Sequence, residues 1–228
     1  MALVKYSMMI SEIRNKLNGS VFARNRGGAY IRNKVTPVNP KTQAQVLARA
    51  RLTQFSQRWR TLTEAQRSAW NSATNAWAKT NVFGDVVNPS GNALFNRLNI
   101  NVALAGGSVL LLPPLAGGVA PVTNLVLVVN ATAGTMDLTF AETPVPANTV
   151  LYVEATPCLS PGISNANAEF RHIATLPATT ATGEDLAAAQ IDKFGPLVAG
   201  QKIHVRAKFI NANTGEVSQA LTASAIVV

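Results

Sequence analysis

Apolar and polar residues alternate along several segments of the C-terminal half of the chain. Every second residue of Met136–Phe140 is apolar, and in Lys202–Phe209 the charged residues and His204 fall between apolar ones. Such alternation predicts β-strands with one buried face and one solvated face, which places His204 in solvent. Turn-forming residues recur about every 8–12 positions, so we predict about seven short strands and an antiparallel β-sandwich over 121–228.

A basic β-hairpin is predicted for Gly19–Val35. Two runs of β-forming residues flank the sequence Arg-Asn-Arg-Gly-Gly at 24–28, and these glycines accept the positive φ of a tight turn. In the second run Tyr30, Arg32 and Lys34 share one face, with apolar residues on the other. The alternative, a glycine-rich phosphate loop, is disfavoured because neither of its sequence signatures is present.

Helical spacing of apolar residues predicts two helices after an extended connector that contains two prolines. The first covers Lys41–Arg60, and the second begins at Thr63, where Thr63 and Gln66 form a capping-box pattern. A short turn between them makes an αα-hairpin, and residues 94–102 predict a third short helix. The predicted helical core consists of Leu47, Phe55, Trp59, Trp70 and Trp77. Stacking of the tryptophans on bases or sugars is the alternative to core packing.

Glycine and proline residues concentrate between the helical and the alternating parts of the chain. This composition ends regular structure and is typical of a linker. We therefore predict an α+β fold with three parts: a basic anchoring region at 1–105, a Gly/Pro linker at 106–120 and the β-sandwich at 121–228. The sandwich has enough residues for its own core, so we expect it to fold alone and the anchoring region not to.

Charge is distributed unevenly between these parts. Residues 1–105 contain 15 of the 20 Lys and Arg but 3 of the 11 Asp and Glu, a net +12, whereas 106–228 carry −3. The first part is therefore expected to meet an acidic partner, either nucleic acid or an acidic protein surface. The predicted contact residues are Arg24, Arg26, Arg32, Lys34, Arg49, Arg51, Arg58 and Arg60.

Residues that carry catalysis are scarce. The chain has two histidines and one cysteine, and no metalloprotease, dithiol or nucleophile-elbow motif. Nothing near Cys158 in the sequence would activate its thiol, and Glu184 and Asp185 are most simply a solvated pair. We expect no enzyme activity, no cofactor and no metal. The first 20 residues lack a signal-peptide pattern and prolines interrupt Val109–Val129, so no membrane association is expected.

Four segments of the first 105 residues resemble a group of uncharacterised structural proteins of tailed bacteriophages. They are Asn18–Arg32, with its basic glycine-rich sequence, Val35–Arg51, with its proline-rich connector, Leu62–Trp70, which reads LTEAQRSAW, and Ser90–Asn99. The resemblance implies a component of the virion, assembled in the host cytoplasm. It implies no detailed role in the particle.

The C-terminal part is similar to fibronectin type III and other immunoglobulin-like modules. The similarity lies in Phe194–Ala207, which matches the turn and penultimate strand of that family, and in Asn213–Ser218, which matches its last turn. Phe140 and Ile203 stand where the family usually has tryptophan and tyrosine. The resemblance implies a sandwich of this type, and a fold alone carries no function.

The sequence is compatible with three functions. The first is a structural virion protein, a capsid decoration, minor head or head-connector protein present in many copies, whose basic half docks on other subunits and whose sandwich faces outward. The second is a nucleic-acid-binding protein that uses the same cations on phosphates. The third is a host-adhesion or glycan-binding fibre module with exposed loops at Ser160–Asn167 and Thr179–Asp185, to which the 6% aromatic content is adverse.

Overall fold

The fold is α+β, as the sequence predicts. The computed structural model describes residues 2–6 and 10–228, so residues 1 and 7–9 of the predicted anchoring region lie outside the description. The described part contains four α-helices and four antiparallel sheets. It divides into two compact units, one of the described residues up to Asn96 with Leu111–Pro113, the other of Arg97–Leu110 with Pro114–Val228.

The first unit combines a small sheet with helices. Its strands are β1 (Ala2–Leu3), β2 (Asn15–Leu17), β3 (Ser20–Asn25), β4 (Gly28–Asn33), β5 (Lys79–Thr80) and β6 (Val86–Val87). Its helices are α1 (Gln43–Thr61), α2 (Glu64–Ala73) and the first part of α3 (Gly91–Leu104), and a 3-10 turn covers Thr74–Trp77. The first four strands form one sheet in the order β1-β4-β3-β2, and β5 pairs with β6.

The predicted hairpin is confirmed as β3 and β4. Ala23 lies opposite Tyr30, and Asn25 lies opposite Gly28 at the turn. Gly28 has φ 110°, a conformation that side-chain-bearing residues rarely adopt. The Asn25 side chain accepts a hydrogen bond from the Gly27 N–H at 2.8 Å, which closes the turn.

The predicted αα-hairpin and its capping box are also confirmed. Only Leu62 and Thr63 separate α1 from α2. Gln66 N–H donates to the Thr63 hydroxyl at 3.3 Å, and Thr63 N–H donates to the Gln66 side-chain oxygen at 3.0 Å. Two amide groups that a helix start leaves without partners are thus satisfied.

Trp70 is the centre of the helical core. It is fully buried, and its indole N–H donates to the Leu111 carbonyl at 3.0 Å. The Phe95 ring packs edge-on against the Trp70 ring, with ring centroids 5.3 Å apart. The centroid of the Phe95 ring also lies 5.5 Å from that of the half-buried Trp59 ring. Phe55 is buried in α1. Aromatic pairs at these distances contribute beyond the apolar area that they bury.

The core prediction is wrong for Leu47. Its side chain is 49% exposed, whereas Trp77 is half-buried. Helix α1 has 19 residues and α2 has 10, so at about 1.5 Å per residue α2 spans only about half the length of α1. The single buried residue of α1, Phe55, lies in its second half, so the first half, which contains Leu47, contributes no buried side chain to the core.

The second unit contains a β-sandwich, as predicted. Its strands are β7 (Val126–Asn130), β8 (Thr135–Thr139), β9 (Thr149–Ala155), β10 (Arg171–Leu176), β11 (Glu184–Asp185), β12 (Lys202–Asn211) and β13 (Leu221–Ile226), with helix α4 (Ala187–Phe194) before β12. One sheet has the order β11-β8-β7 and the other the order β10-β9-β12-β13. Met136 and Leu138 from the first sheet and Leu151, Ile203 and Val205 from the second are fully buried in the shared core.

The prediction that His204 faces solvent is wrong. Its side chain lies on the outer side of β12, as the alternation requires, but it is 5% exposed. The loop after β9 covers it: the His204 Nε2 atom lies 3.1 Å from the Ile163 carbonyl, and its backbone N–H donates to the Thr156 hydroxyl at 3.1 Å. Alternation of apolar and polar residues along a strand shows which face of the sheet a side chain lies on. It does not show whether a loop covers that face.

Outside Leu111–Pro113, the Gly/Pro segment predicted as a linker belongs to the second unit, and hydrogen bonds hold it near both of its ends. Asn99, buried in α3, accepts a hydrogen bond from Leu110 N–H at 2.7 Å. A side chain at Gly107 would overlap the Ala212 carbonyl, so only glycine allows this approach. The second unit therefore begins within α3, earlier than the predicted sandwich. That 121–228 fold alone stays a prediction.

Glu216 makes the other attachment of this segment. Its side chain is 9% exposed, and its Oε1 atom accepts hydrogen bonds from Gly117 N–H at 3.1 Å and Gly118 N–H at 3.0 Å. The Thr214 hydroxyl donates to Oε2 at 3.3 Å. Hydrogen bonds to a charged acceptor are stronger than neutral ones, so this carboxylate holds the chain just before the sandwich.

Replacing Glu216 tests this attachment. Glu216→Ala removes the acceptor of two amides and should lower the free energy of unfolding of the second unit by about 1–3 kcal/mol. Hydrogen exchange at Gly117 and Gly118 should accelerate. Glu216→Gln is the matched control, since it keeps an acceptor oxygen and should retain most of the protection. Equal exchange rates in the wild type and the alanine variant would contradict the role assigned to Glu216.

Candidate assembly surface of the first unit

The N-terminal sheet has no buried residue. None of the described residues 2–6 and 10–54 is buried, and the first buried side chain that the structure describes is Phe55. Isolated sheets are stable when one face is packed on another layer. Within the described part of the chain, no second layer buries a residue of the four strands β1–β4.

Both faces of this sheet carry apolar side chains. The register of β3 and β4 places Phe22 and Ile31 on one face and Val21 and Tyr30 on the other. All four are half-buried. A sheet meant for solvent on one side shows a polar face there, which this sheet does not have.

The hairpin cations predicted as contacts lie on different sides of the sheet. Arg24 shares a face with Phe22 and Ile31, whereas Arg32 lies on the opposite face beside Val21. Both arginines are exposed. Arg26 lies in the turn and Lys34 just beyond the end of β4, and both are exposed. The structure thus distributes these cations around the sheet.

Only one of these hairpin cations has an ionic partner in the described part of the chain. Glu12 Oε1 lies 2.9 Å from Arg14 and 3.8 Å from Arg24, at exposed positions where ion pairs contribute little. Arg26, Arg32 and Lys34 form no ion pair with the residues described. Their charge is therefore available to an external anion.

The arginines of α1 form two stripes. At about 100° per residue, Arg49 and Arg60 lie about 20° apart on one side of the helix, and Arg51 and Arg58 lie together on the other. Arg51 is half-buried and the other three are exposed. Arg49 donates to the Asn39 side chain at 2.8 Å. One flat surface cannot contact both stripes, so the eight predicted cations do not make a single patch.

The sequence around these cations contains no acidic residue from position 13 to position 63. Those 51 residues include eleven Lys and Arg between Glu12 and Glu64. An unbroken run of one sign produces a positive potential that extends from the surface and attracts anionic partners. This run is the strongest electrostatic feature of the chain.

A second feature, which the sequence reasoning missed, is a cavity of about 220 Å³ in this unit, beside the turn between β5 and β6. Lys5 Nζ lies 3.4 Å from the Asp85 carboxylate and 5.1 Å from the centre of the Phe83 ring. Two hydrogen bonds lower the pKa of the Asp85 carboxyl: the bond from the Asn81 side chain has the larger effect, and the bond from Lys5 the smaller one. Asn81 also accepts from Phe83 N–H and Asp85 N–H at 2.9 Å, so these groups hold the turn. The signal available in the sequence was the turn-forming Asn-Val-Phe-Gly-Asp.

The described residues give two further results. No three His, Cys, Asp or Glu side chains among them are grouped as metal ligands. None of the helices described combines the length and the apolar character needed to cross a bilayer.

Comparison with known proteins gives one structural similarity. No family model and no curated protein matches the sequence. The chain is similar to the crystal structure of a Fn3-like protein from Clostridium thermocellum, with 17% identity over 49% of this chain and 94% of that chain and a TM-score of 0.32. The strand order and the shared core of residues 122–227 show the β-sandwich directly.

Amide hydrogen exchange tests whether the N-terminal sheet lacks its own core. In the isolated chain the amides of β3 and β4 should exchange much faster than those of β9 and β12, because opening the sheet exposes no buried side chain. The two sandwich strands serve as the internal control. Equal protection of the two sheets would show that β1–β4 are stable by themselves.

Proposed function

We propose that the chain is a non-enzymatic structural subunit of a tailed-phage particle, a capsid decoration, minor head or head-connector protein. Its first unit docks on other virion subunits, and its sandwich projects outward. The observation that supports this most is the sheet β1–β4, which carries apolar side chains on both faces and buries none of them among residues 2–6 and 10–54. A neighbouring subunit would supply the missing layer.

The cations around this sheet support docking on an acidic protein surface. Arg24 and Arg32 lie on opposite faces and Arg26 at the turn, so a partner that surrounds the hairpin could engage all three. Guanidinium groups bind carboxylates with two parallel hydrogen bonds, which favours a protein partner with Asp and Glu at fixed positions. The resemblance of four N-terminal segments to phage structural proteins supports the same function.

The charge of the sandwich supports its outward position. Residues 106–228 carry −3, and packaged nucleic acid repels a module of that sign. The loops 160–167 and 179–185 are mostly exposed. Small polar residues are common at exposed loop tips, so no ligand is assigned to these loops.

Replacing the hairpin arginines tests the docking surface. The triple variant Arg24→Ala, Arg26→Ala, Arg32→Ala should keep the circular dichroism of the sandwich but incorporate into particles at least about tenfold less, since several charge-assisted hydrogen bonds are lost. Incorporation is measured by quantitative immunoblotting of purified particles.

Two further variants sharpen this experiment. The single variants Arg24→Ala and Arg32→Ala separate the two faces of the sheet. Arg171→Ala with Lys193→Ala is the control, because it removes positive charge from the second unit and should leave incorporation unchanged. Normal incorporation of the triple variant would place the anchor elsewhere in the chain.

Nucleic-acid binding is the second candidate function, and the run of 51 residues without an acidic side chain favours it. A protein that neutralises Z phosphates loses affinity with a slope of about −0.9Z in a plot of log K against log salt. If docking on protein is the function, DNA binding by the isolated chain should vanish near 0.15 M salt while incorporation persists. Submicromolar DNA binding at that salt concentration, reduced by the triple alanine variant, would support the second candidate instead.

A further inference from the structure

The outer face of the four-stranded sheet carries a row of basic residues. Lys202, Arg206 and Lys208 occupy outward positions of β12, and His204, the outward residue between them, is covered by a loop. The three cations are half-buried. Glu154 is the one acidic residue within strands β9, β10, β12 and β13, and its carboxylate lies 2.7 Å from Arg206.

Aromatic rings fill the spaces between these cations. The Tyr152 and His172 rings stack with centroids 4.4 Å apart and an angle of 29°. Lys208 Nζ lies 4.8 Å from the Tyr152 ring centre, and the Arg206 guanidinium lies 4.4 Å from that of Phe170. Stacking and cation–π contacts hold these side chains in place, so the part of the face outside the loop that covers His204 is a preformed aromatic and basic surface.

The outer face of the three-stranded sheet has the opposite character. Strands β7, β8 and β11 contain no Lys or Arg. Asp137 and Asp185 lie directly opposite each other on β8 and β11. Val126 and Val128 of β7 are 52% and 53% exposed, although the outward positions of a solvated strand are usually polar.

The two aspartates place like charges at directly opposite positions of neighbouring strands. Like charges directly opposite on neighbouring strands destabilise a sheet. Asp185 is held by hydrogen bonds from Met136 N–H at 2.8 Å and Ala187 N–H at 2.9 Å. Asp137 has no hydrogen-bond or ion-pair partner in the described part of the chain. A cation from outside the chain would relieve this repulsion.

We propose that these two outer faces are the two halves of one interface between copies of this chain. The acidic, valine-bearing face of β11-β8-β7 in one copy packs against the aromatic and basic face of β10-β9-β12-β13 in the next. Each face supplies what the other lacks, namely opposite charge and apolar surface, which is the complementarity of specific interfaces. Because the two halves differ, the contact is head-to-tail and extends into a ring or a filament.

A second copy explains more of the structure than a polyanion does. A nucleic acid or an acidic glycan could bind Lys202 and Lys208, but it would leave the aspartate pair and the exposed valines without a partner. A second copy uses both faces with the same contact. This inference is independent of the docking surface assigned to the first unit, since every residue in it belongs to the sandwich.

Charge reversal on one face at a time tests the proposal in the full chain. The variants Asp137→Lys and Lys208→Glu are compared with wild type by sedimentation velocity at low salt over a concentration series. Wild type should associate as its concentration rises. Each reversed variant should associate at least about tenfold more weakly by itself, since it now brings like charges together.

Mixing the two reversed variants is the decisive step. Asp137→Lys leaves the basic face unchanged and Lys208→Glu leaves the acidic face unchanged, so the mixture regains one wild-type contact and should associate more strongly than either variant alone. Circular dichroism confirms that both variants fold, and Asp137→Asn with Lys202→Glu repeats the test with a milder change on one face and a second cation on the other. The triple alanine variant of Arg24, Arg26 and Arg32 should associate as wild type does.

Several outcomes would overturn the proposal. They are a wild-type chain that stays monomeric over the whole series, association that the reversed variants leave unchanged, or a mixture that does not regain association. DNA binding is a further contrary outcome. If a short DNA duplex binds the monomer, and if Lys208→Glu weakens this binding while Asp137→Asn leaves it unchanged, the basic face is a binding site for a polyanion instead.

Discussion

A β-sheet has two faces, and a sheet with apolar side chains on both must be covered on both to be stable. In the first unit this requirement is not met by the described residues, because β1–β4 carry Phe22 and Ile31 on one face and Val21 and Tyr30 on the other and bury none of them. Six of the eleven cations between Glu12 and Glu64 lie within residues 14–34, which contain strands β2–β4. Together these features support the proposed docking of the N-terminal part on another molecule.

The second unit solves the same problem within itself. Its two sheets enclose a core of fully buried side chains, among them Met136, Leu151 and Val205. Glu216 and Asn99 then attach the preceding glycine-rich segment through hydrogen bonds to backbone amides. The second unit therefore has a buried core of its own, whereas the described strands β1–β4 have no buried residue, and the proposed docking depends on this difference.

Local patterns in the sequence predicted the elements well. The glycine turn of the hairpin, the Thr63 and Gln66 capping box and the alternation in β12 each depend on residues within a few positions, so short-range physics determines them. The candidate cations were also visible in the sequence, since exposure is the usual state of Arg and Lys.

Features that depend on distant residues were missed. Leu47 has helical spacing but lies in the first half of α1, which buries no side chain, and His204 has an outward position that a loop covers. The attachment by Glu216 joins residues about a hundred positions apart, and no local pattern reports it. The register of β3 and β4, which the structure provides, shows that Arg24 and Arg32 lie on opposite faces of the N-terminal sheet. Sequence reasoning therefore identified the residues of the candidate surface but not their arrangement.

The most direct test of this account is a density map of the assembled particle at side-chain resolution. The account predicts that another subunit covers at least one face of the sheet β1–β4 and places acidic side chains beside Arg24, Arg26 or Arg32. A particle in which both faces of this sheet are open to solvent, with the chain held through the sandwich alone, would contradict it.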